Sequence, residues 1–151
     1  MRPLDEEEYK YAVIYPLLPE HISRILNGKS VFCKYIGKPQ RLRIREGTIL
    51  IFYSSGGSHE IVGEAEVTKV EFCSVEETLE KYRKGLFLTE EELMAYSGRF
   101  LRPRDEPLLV MSLRGAHEYS VPIRLPKPVT MSGMTLTEDQ YKATLGPFGE
   151  A

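Results

Sequence analysis

Thr48-Ile49-Leu50-Ile51-Phe52-Tyr53, the loop Ser54-Ser55-Gly56-Gly57-Ser58-His59, and the run from Ile61 to Phe72 decide how this chain folds. The first run is apolar at every position after Thr48, the pattern of a well-buried strand. A loop of small, polar and glycine residues then breaks it. The second run alternates, with Val62, Ala65, Val67 and Val70 set among polar neighbours, and Gly63 marks a candidate bulge.

Working outward, Tyr11 to Leu18 reads as a first strand, and Pro19 opens a helix at a position where its missing N–H costs nothing. Ile22, Ile25 and Leu26 recur at helical spacing, and Asn27-Gly28 supplies a left-handed stop. Ser30 to Ile36 is rich in β-branched and aromatic residues and predicts a strand. Arg41-Leu42-Arg43-Ile44-Arg45 alternates with period two, placing Leu42 and Ile44 on a core face and three arginines opposite. Ser74-Val75-Glu76-Glu77 and Thr89-Glu90-Glu91-Glu92 are capping boxes, so two helices in a row are expected over about 74–98. Pro107 to Arg114 is a further strand, and Tyr119 to Ile123 a shorter one at an edge, because Pro122 cannot donate to a ladder. Thr137-Glu138-Asp139-Gln140 is a third capping box and opens a terminal helix over about 137–145.

The order is strand, helix, strands, two helices, strands, helix. Short connections between strands predict an α+β domain: a mostly antiparallel β-barrel with peripheral helices and a two-helix insert. The 151 residues fit a single domain over 1–151. Hydrophobic residues at 42% and charged residues at 28% exclude a disordered chain. No apolar run is long enough to span a bilayer, and the start of the chain shows no secretory leader, so a cytoplasmic protein with no membrane partner is expected. Cys33 and Cys73 sit in apolar runs without metal-ligand spacing and read as buried free thiols. His21, His59 and His117 are dispersed, so no metal and no cofactor is expected.

The formal net charge of −2 conceals an uneven distribution. From Lys29 to Arg45 the chain carries Lys29, Lys34, Lys38, Arg41, Arg43 and Arg45 and no acidic residue. Acids gather at Asp5 to Glu8 and between Glu64 and Glu92. One positive face on such a chain answers to a phosphate backbone.

Ile22-Ser23-Arg24-Ile25-Leu26-Asn27-Gly28-Lys29-Ser30-Val31 resembles the helix, Gly-Lys, strand opening of ASCH domains and their PUA-like relatives. Gly47 to Tyr53, followed by Ile61-Val62-Gly63-Glu64-Ala65-Glu66-Val67, resembles the core strands of the same group. The resemblance covers about Pro16 to Ile123 and is narrowest toward an uncharacterised archaeal family near the ASCH and EVE domains. It implies a PUA-like barrel in a group of RNA-binding modules, readers of modified bases, and a few hydrolases of RNA or modified nucleosides. The ASCH pattern Gly-Lys-Lys-Thr-x-Glu-x-Arg is kept at Gly28-Lys29, but Ser30, Val31 and Cys33 replace its second lysine, threonine and glutamate.

An RNA- or nucleotide-binding module is the leading expectation. Lys29, Lys34, Arg41, Arg43 and Arg45 are candidates for phosphate, since each guanidinium forks onto two oxygens. Tyr53, Ser54, Ser55 and His59 are candidates for shaping a base pocket. Each has a plainer explanation: an edge strand protected by charge, a half-buried strand tyrosine, an ordinary hairpin loop. The alternative is an ASCH-like hydrolase using Lys29 with Glu64 or Glu66 as the acid–base pair. A third is a protein-interaction domain using the acidic two-helix insert.

Overall fold

The structure is a computed structural model that describes residues 10–35, 44–55, 59–99, 107–130 and 133–145. The elements, in chain order, are β1 (Ala12–Leu17), α1 (Pro19–Leu26), β2 (Val31–Lys34), β3 (Ile49–Ser54), β4 (Glu60–Cys73), α2 (Val75–Tyr82), α3 (Glu90–Arg99), β5 (Leu108–Arg124), β6 (Met134–Leu136) and α4 (Glu138–Leu145). Among the described residues the strands form one sheet in the order β2-β5-β4-β3-β1-β6. The β1–β3 pair is parallel and the other pairings are antiparallel. No pairing among the described residues joins β2 to β6, so the ladder described is an open mixed sheet and not the closed barrel expected.

Both faces of the sheet centre are covered. Val13, Tyr15, Leu17, Leu50 and Phe52 pack toward Ile22 and Ile25 of α1 and toward Leu79 and Leu93 of the two inserted helices. The alternate residues Ala12, Ile14, Ile51 and Tyr53 pack in a second layer with Leu125, Val129, Leu136 and Leu145. Because successive side chains point to opposite faces, a strand between two layers must be apolar throughout. That is why β1 and β3 show no alternation.

The helix signals in the sequence act locally. Lys29 N–H donates to the Arg24 carbonyl and Gly28 N–H to that of Ile25, with Gly28 at φ +122°; the two bonds close α1 as a Schellman motif. Ser74 with Glu77, Thr89 with Glu92 and Thr137 with Gln140 each form the reciprocal side-chain and backbone bonds of a capping box.

Two strand expectations change. Ile44 is buried as the alternation requires, but Ile44 and Arg45 lie outside any strand and lead into the turn before β3; residues 41–43 lie outside the described residues. The segments 107–114 and 119–123 are not separate strands, since β5 runs unbroken from Leu108 to Arg124. It stays continuous because it pairs with the whole of β4. Register shifts at Ile61/Gly63, Glu64/Glu66 and Val67/Lys69, with Gly115 at φ +65°, bend the long pair while keeping it joined. Pro122 is tolerated because β2 pairs with Leu109–Ser112, and among the described residues no strand pairs with the outer side of β5 at Pro122.

The bend brings two backbones unusually close. A Cβ at Gly63 would stand 2.5 Å from the His117 carbonyl oxygen, and backbone cannot swing aside. Gly63→Ala is expected to destabilise the fold by about 2 kcal/mol, seen as a Tm lowered by roughly 5 °C. An unchanged melting curve would show that the two strands separate freely at this point.

Candidate functional site

The end of β2, the start of α1 and the inserted helix α3 enclose a cavity of about 450 Å³. Phe32 and Lys34 of β2 line it together with Pro16 and Leu17 of β1. Leu18, Glu20 and His21 at the start of α1, Cys33 of β2, Ser55, Phe87 and Leu88, and Glu92, Ala95 and Tyr96 of α3 complete the lining. The walls are mainly apolar and aromatic. Phe32 and Phe87 rings lie 5.0 Å apart, and His21 meets Phe87 edge-on at 5.5 Å.

Lys34 is the unusual group. Only 8% exposed, it places its ammonium 3.9 Å from the centroid of the Tyr15 ring. Burial disfavours the charged form and lowers its pKa from the ordinary lysine value to about 8. The electron-rich face of Tyr15 offsets part of that cost, because a desolvated cation over an aromatic ring gains about 2 kcal/mol. Burial also raises the Tyr15 hydroxyl, keeping the ring neutral.

Helices α1 and α3 are clamped to each other beside the cavity. Arg24 reaches the Phe87 carbonyl at 3.0 Å and forks onto both oxygens of Glu92, and His21 stands 3.6 Å from the same carboxylate. The Arg24 hydrogen bond holds Glu92 at a pKa of about 2. At the far end, Tyr96 Oη accepts from the Tyr35 amide at 2.8 Å, and Tyr35 donates to Ser97 at 3.0 Å.

The residues singled out in the sequence go to different places. Lys34 and Ser55 line the cavity. Ser54 lines a separate, more polar cleft of about 550 Å³ between α1 and the β4–β5 pair. Tyr53 is packed in the opposite layer of the sheet, and Tyr96 takes the place expected of it beside the cavity. His59 adopts φ +63° and accepts a hydrogen bond from the Leu125 amide. Exposed Lys29 donates to the Lys84 carbonyl at 2.8 Å, at the junction of the inserted helices. The Arg45 amide donates to Thr48, while Arg41 and Arg43 lie outside the described residues.

Lys29, Glu64 and Glu66, expected as an acid–base pair of Lys29 with either glutamate, each hydrogen-bond other groups. Buried Glu64 accepts hydrogen bonds from Tyr119 at 2.9 Å and Tyr141 at 2.7 Å, which tie α4 to the sheet. Burial, with the Glu64 carboxylate beside them, raises both tyrosine pKa values. Glu66 is forked by Arg114 at 3.1 Å. Cys33 and Cys73 are free and buried, and burial pushes Cys33 up to about 12, leaving it protonated. Among the described residues no group of three or more histidine, cysteine or acidic side chains is placed to hold a metal. Nor is any described helix long and apolar enough to cross a membrane.

Tyr15, His21, Phe87, Glu92 and Tyr96 were not picked out from the sequence as site residues. Their shared feature is tertiary: Arg24 and Glu92 are 68 positions apart, Tyr35 and Tyr96 61. The Thr89-Glu92 capping box was the one sequence signal near them, and it placed Glu92 at a helix start.

This architecture is an ASCH-like α+β fold. The ASCH protein from Zymomonas mobilis superposes with a TM-score of 0.74 at 17% identity, over 93% of this chain and 97% of that one. The N-terminal domain of Staphylothermus marinus McrB superposes at 0.50 and 14% identity, over 97% of this chain and 87% of that domain. Residues 10–138 match the family described as "Domain of unknown function (DUF365)", and the chain belongs to that family. The uncharacterised protein MJECS03 of the archaeon Methanocaldococcus jannaschii is 31% identical over 103 residues, 64% of this chain and 95% of that protein.

The clamp makes a measurable claim. Glu92→Gln keeps the capping bonds to Thr89 but loses the ion pair with Arg24. At neutral pH the variant is expected to be less stable by about 0.5–1 kcal/mol, as befits a partly exposed pair. Since the folded-state pKa of Glu92 is depressed, its contribution is complete above the unfolded carboxylate range and disappears as pH falls toward 2. Melting curves at several pH values check this: a gap that does not close in acid would assign the loss to something other than charge.

Proposed function

We propose that the chain is an RNA- or nucleotide-binding module whose cavity at the end of β2 receives one base. The observation that carries the reading is Lys34, a buried ammonium opening into an aromatic-walled space of about 450 Å³. That volume lies in the range of small-ligand sites, which combine apolar walls with a few placed polar groups. A nucleobase suits it on both counts, being flat enough to stack on Phe87 or Tyr96 and carrying acceptors for a lysine. Stacking on an aromatic side chain contributes about 1–3 kcal/mol per base. The resemblance to the PUA-like group, which includes RNA-binding modules, points the same way.

The rim bears Glu20 and Glu92, so a phosphate is disfavoured inside the cavity and the sugar–phosphate backbone runs outside it. The acid-free run supplies the phosphate contacts, from Lys29 through Arg41, Arg43 and Arg45. Such contacts weaken as salt rises because counterions are no longer released favourably. Ser55 at the cavity edge, with Ser54 and His59 beside it in the chain, borders the path of the strand.

Hydrolysis of RNA or of a modified nucleoside is the second reading. It is favoured by one feature, the pKa of Lys34 near 8, which supplies some neutral amine close to neutral pH for general-base work. Incubation of small RNAs and modified nucleosides with the wild type and Lys34→Met separates the two readings: turnover lost in the variant supports hydrolysis, and its absence in both supports binding alone.

Filter-binding titrations against single-stranded and structured RNA at two salt concentrations test the main reading. Lys34→Met, which keeps the stem over Tyr15, is expected to weaken binding about tenfold. Wild-type affinity falls as pH rises from about 7 to about 9, since the ammonium is lost through its pKa, while the variant shows no such step. Binding that is absent even at low ionic strength overturns the proposal.

A further inference from the structure

Leu18 stands where local chemistry favours a different residue. It is the N-cap of α1, a position suited to serine, threonine, asparagine or aspartate, whose side chains accept from the first free helical amides. Leucine has no acceptor to offer, and no side-chain cap bond forms there. Nor does Leu18 gain full burial in exchange, since it is 46% exposed. Of the large apolar side chains exposed among the described residues, which are Leu18, Phe72, Val121 and Met134, Leu18 alone lines the cavity.

The backbone that carries this side chain is held on both sides. Leu17, just before it, ends β1, and its carbonyl accepts from the Ser55 amide at 2.9 Å. Pro19, just after it, confines the preceding residue to extended backbone, and Leu18 sits there at φ −66° and ψ 147°. The Leu18 carbonyl accepts from the His21 and Ile22 amides at 3.0 and 3.1 Å. A group held in this way has little backbone freedom left to lose when a ligand covers it. A local rule broken without a packing gain marks a residue kept for function.

Its surroundings narrow what it contacts. Glu20 and Glu92 line the same cavity, which disfavours a phosphate nearby, and an aliphatic side chain has no hydrogen bond to give a sugar hydroxyl. The face of a base is the part of an RNA strand that packs on an apolar group, and leucine is among the side chains that nucleic-acid-binding proteins set against base steps. We propose that Leu18 is a fixed apolar contact for the base next to the one in the cavity, so that the module engages two successive bases. This rests on the base-binding reading above and adds a second base position to it.

Titrations of the whole chain with AMP and UMP, which supply one base, and with ten-nucleotide oligo(A) and oligo(U) test the assignment. In Leu18→Ser the oligonucleotides are expected to bind about fivefold more weakly, while the mononucleotides stay within about twofold of wild type. Leu18→Met keeps an apolar side chain and retains oligonucleotide affinity. Serine is the better N-cap, so Leu18→Ser melts no lower than the wild type, and its loss of binding is not a loss of structure. Three results overturn the second base position while the base cavity stands: oligonucleotide affinity unchanged in Leu18→Ser, an equal loss for mononucleotides and oligonucleotides, or a melting temperature lowered by several degrees. Binding of none of the four ligands to the wild type overturns both.

Discussion

β1 and β3 lie side by side at the centre of a sheet that is covered on both faces, and every residue of the pair has to satisfy a buried layer. Ile14, Leu50, Ile51 and Phe52 are completely buried, each contributing roughly 1.5–3 kcal/mol by leaving water. The remainder of the molecule is arranged around this requirement. Helices α1, α2 and α3 cover one face; the segment after β5 and α4 cover the other. The carboxylate of Glu64 reaches two tyrosine hydroxyls to hold α4 in place, since a buried carboxylate is tolerable only when its oxygens are paired. The parallel β1–β3 pairing also needs a crossover, and α1 with β2 supplies it.

The cavity is a by-product of that crossover. Helix α1 leaves β1 at Leu18 and returns toward β2, and the start of α3 closes against its last turn through Glu92 and Arg24. Lys34 ends up lining the cavity, held in the low-dielectric layer by Tyr15. A lysine so placed is costly for stability, since burial disfavours its charged form.

Much of the local structure was legible from residue patterns. All three capping boxes form, Asn27-Gly28 ends α1, Ile44 is buried, and both cysteines are buried free thiols. These signals depend on groups within about four positions of one another, so short-range chemistry settles them. The strand character of 119–123 was also correct, but its separation from 107–114 was not: one strand runs from Leu108 to Arg124 because β4 pairs along its length. Tyr53 shows the same limit. Its strand was evident, yet an apolar run without alternation leaves open which layer each side chain enters.

The sequence by itself determined the four helices, the runs that become β1 to β4, the buried character of β1 and β3, and the concentration of positive charge between Lys29 and Arg45. Only the tertiary structure decided that the strands build an open mixed sheet and that Lys34 enters a cavity while Lys29 turns to the Lys84 carbonyl. It also decided that Glu64 and Glu66 are engaged elsewhere. The reason is that propensity and capping are set by near neighbours, whereas a side chain's surroundings depend on partners some sixty positions away. Those contacts exist only after both faces of the central strands have been covered.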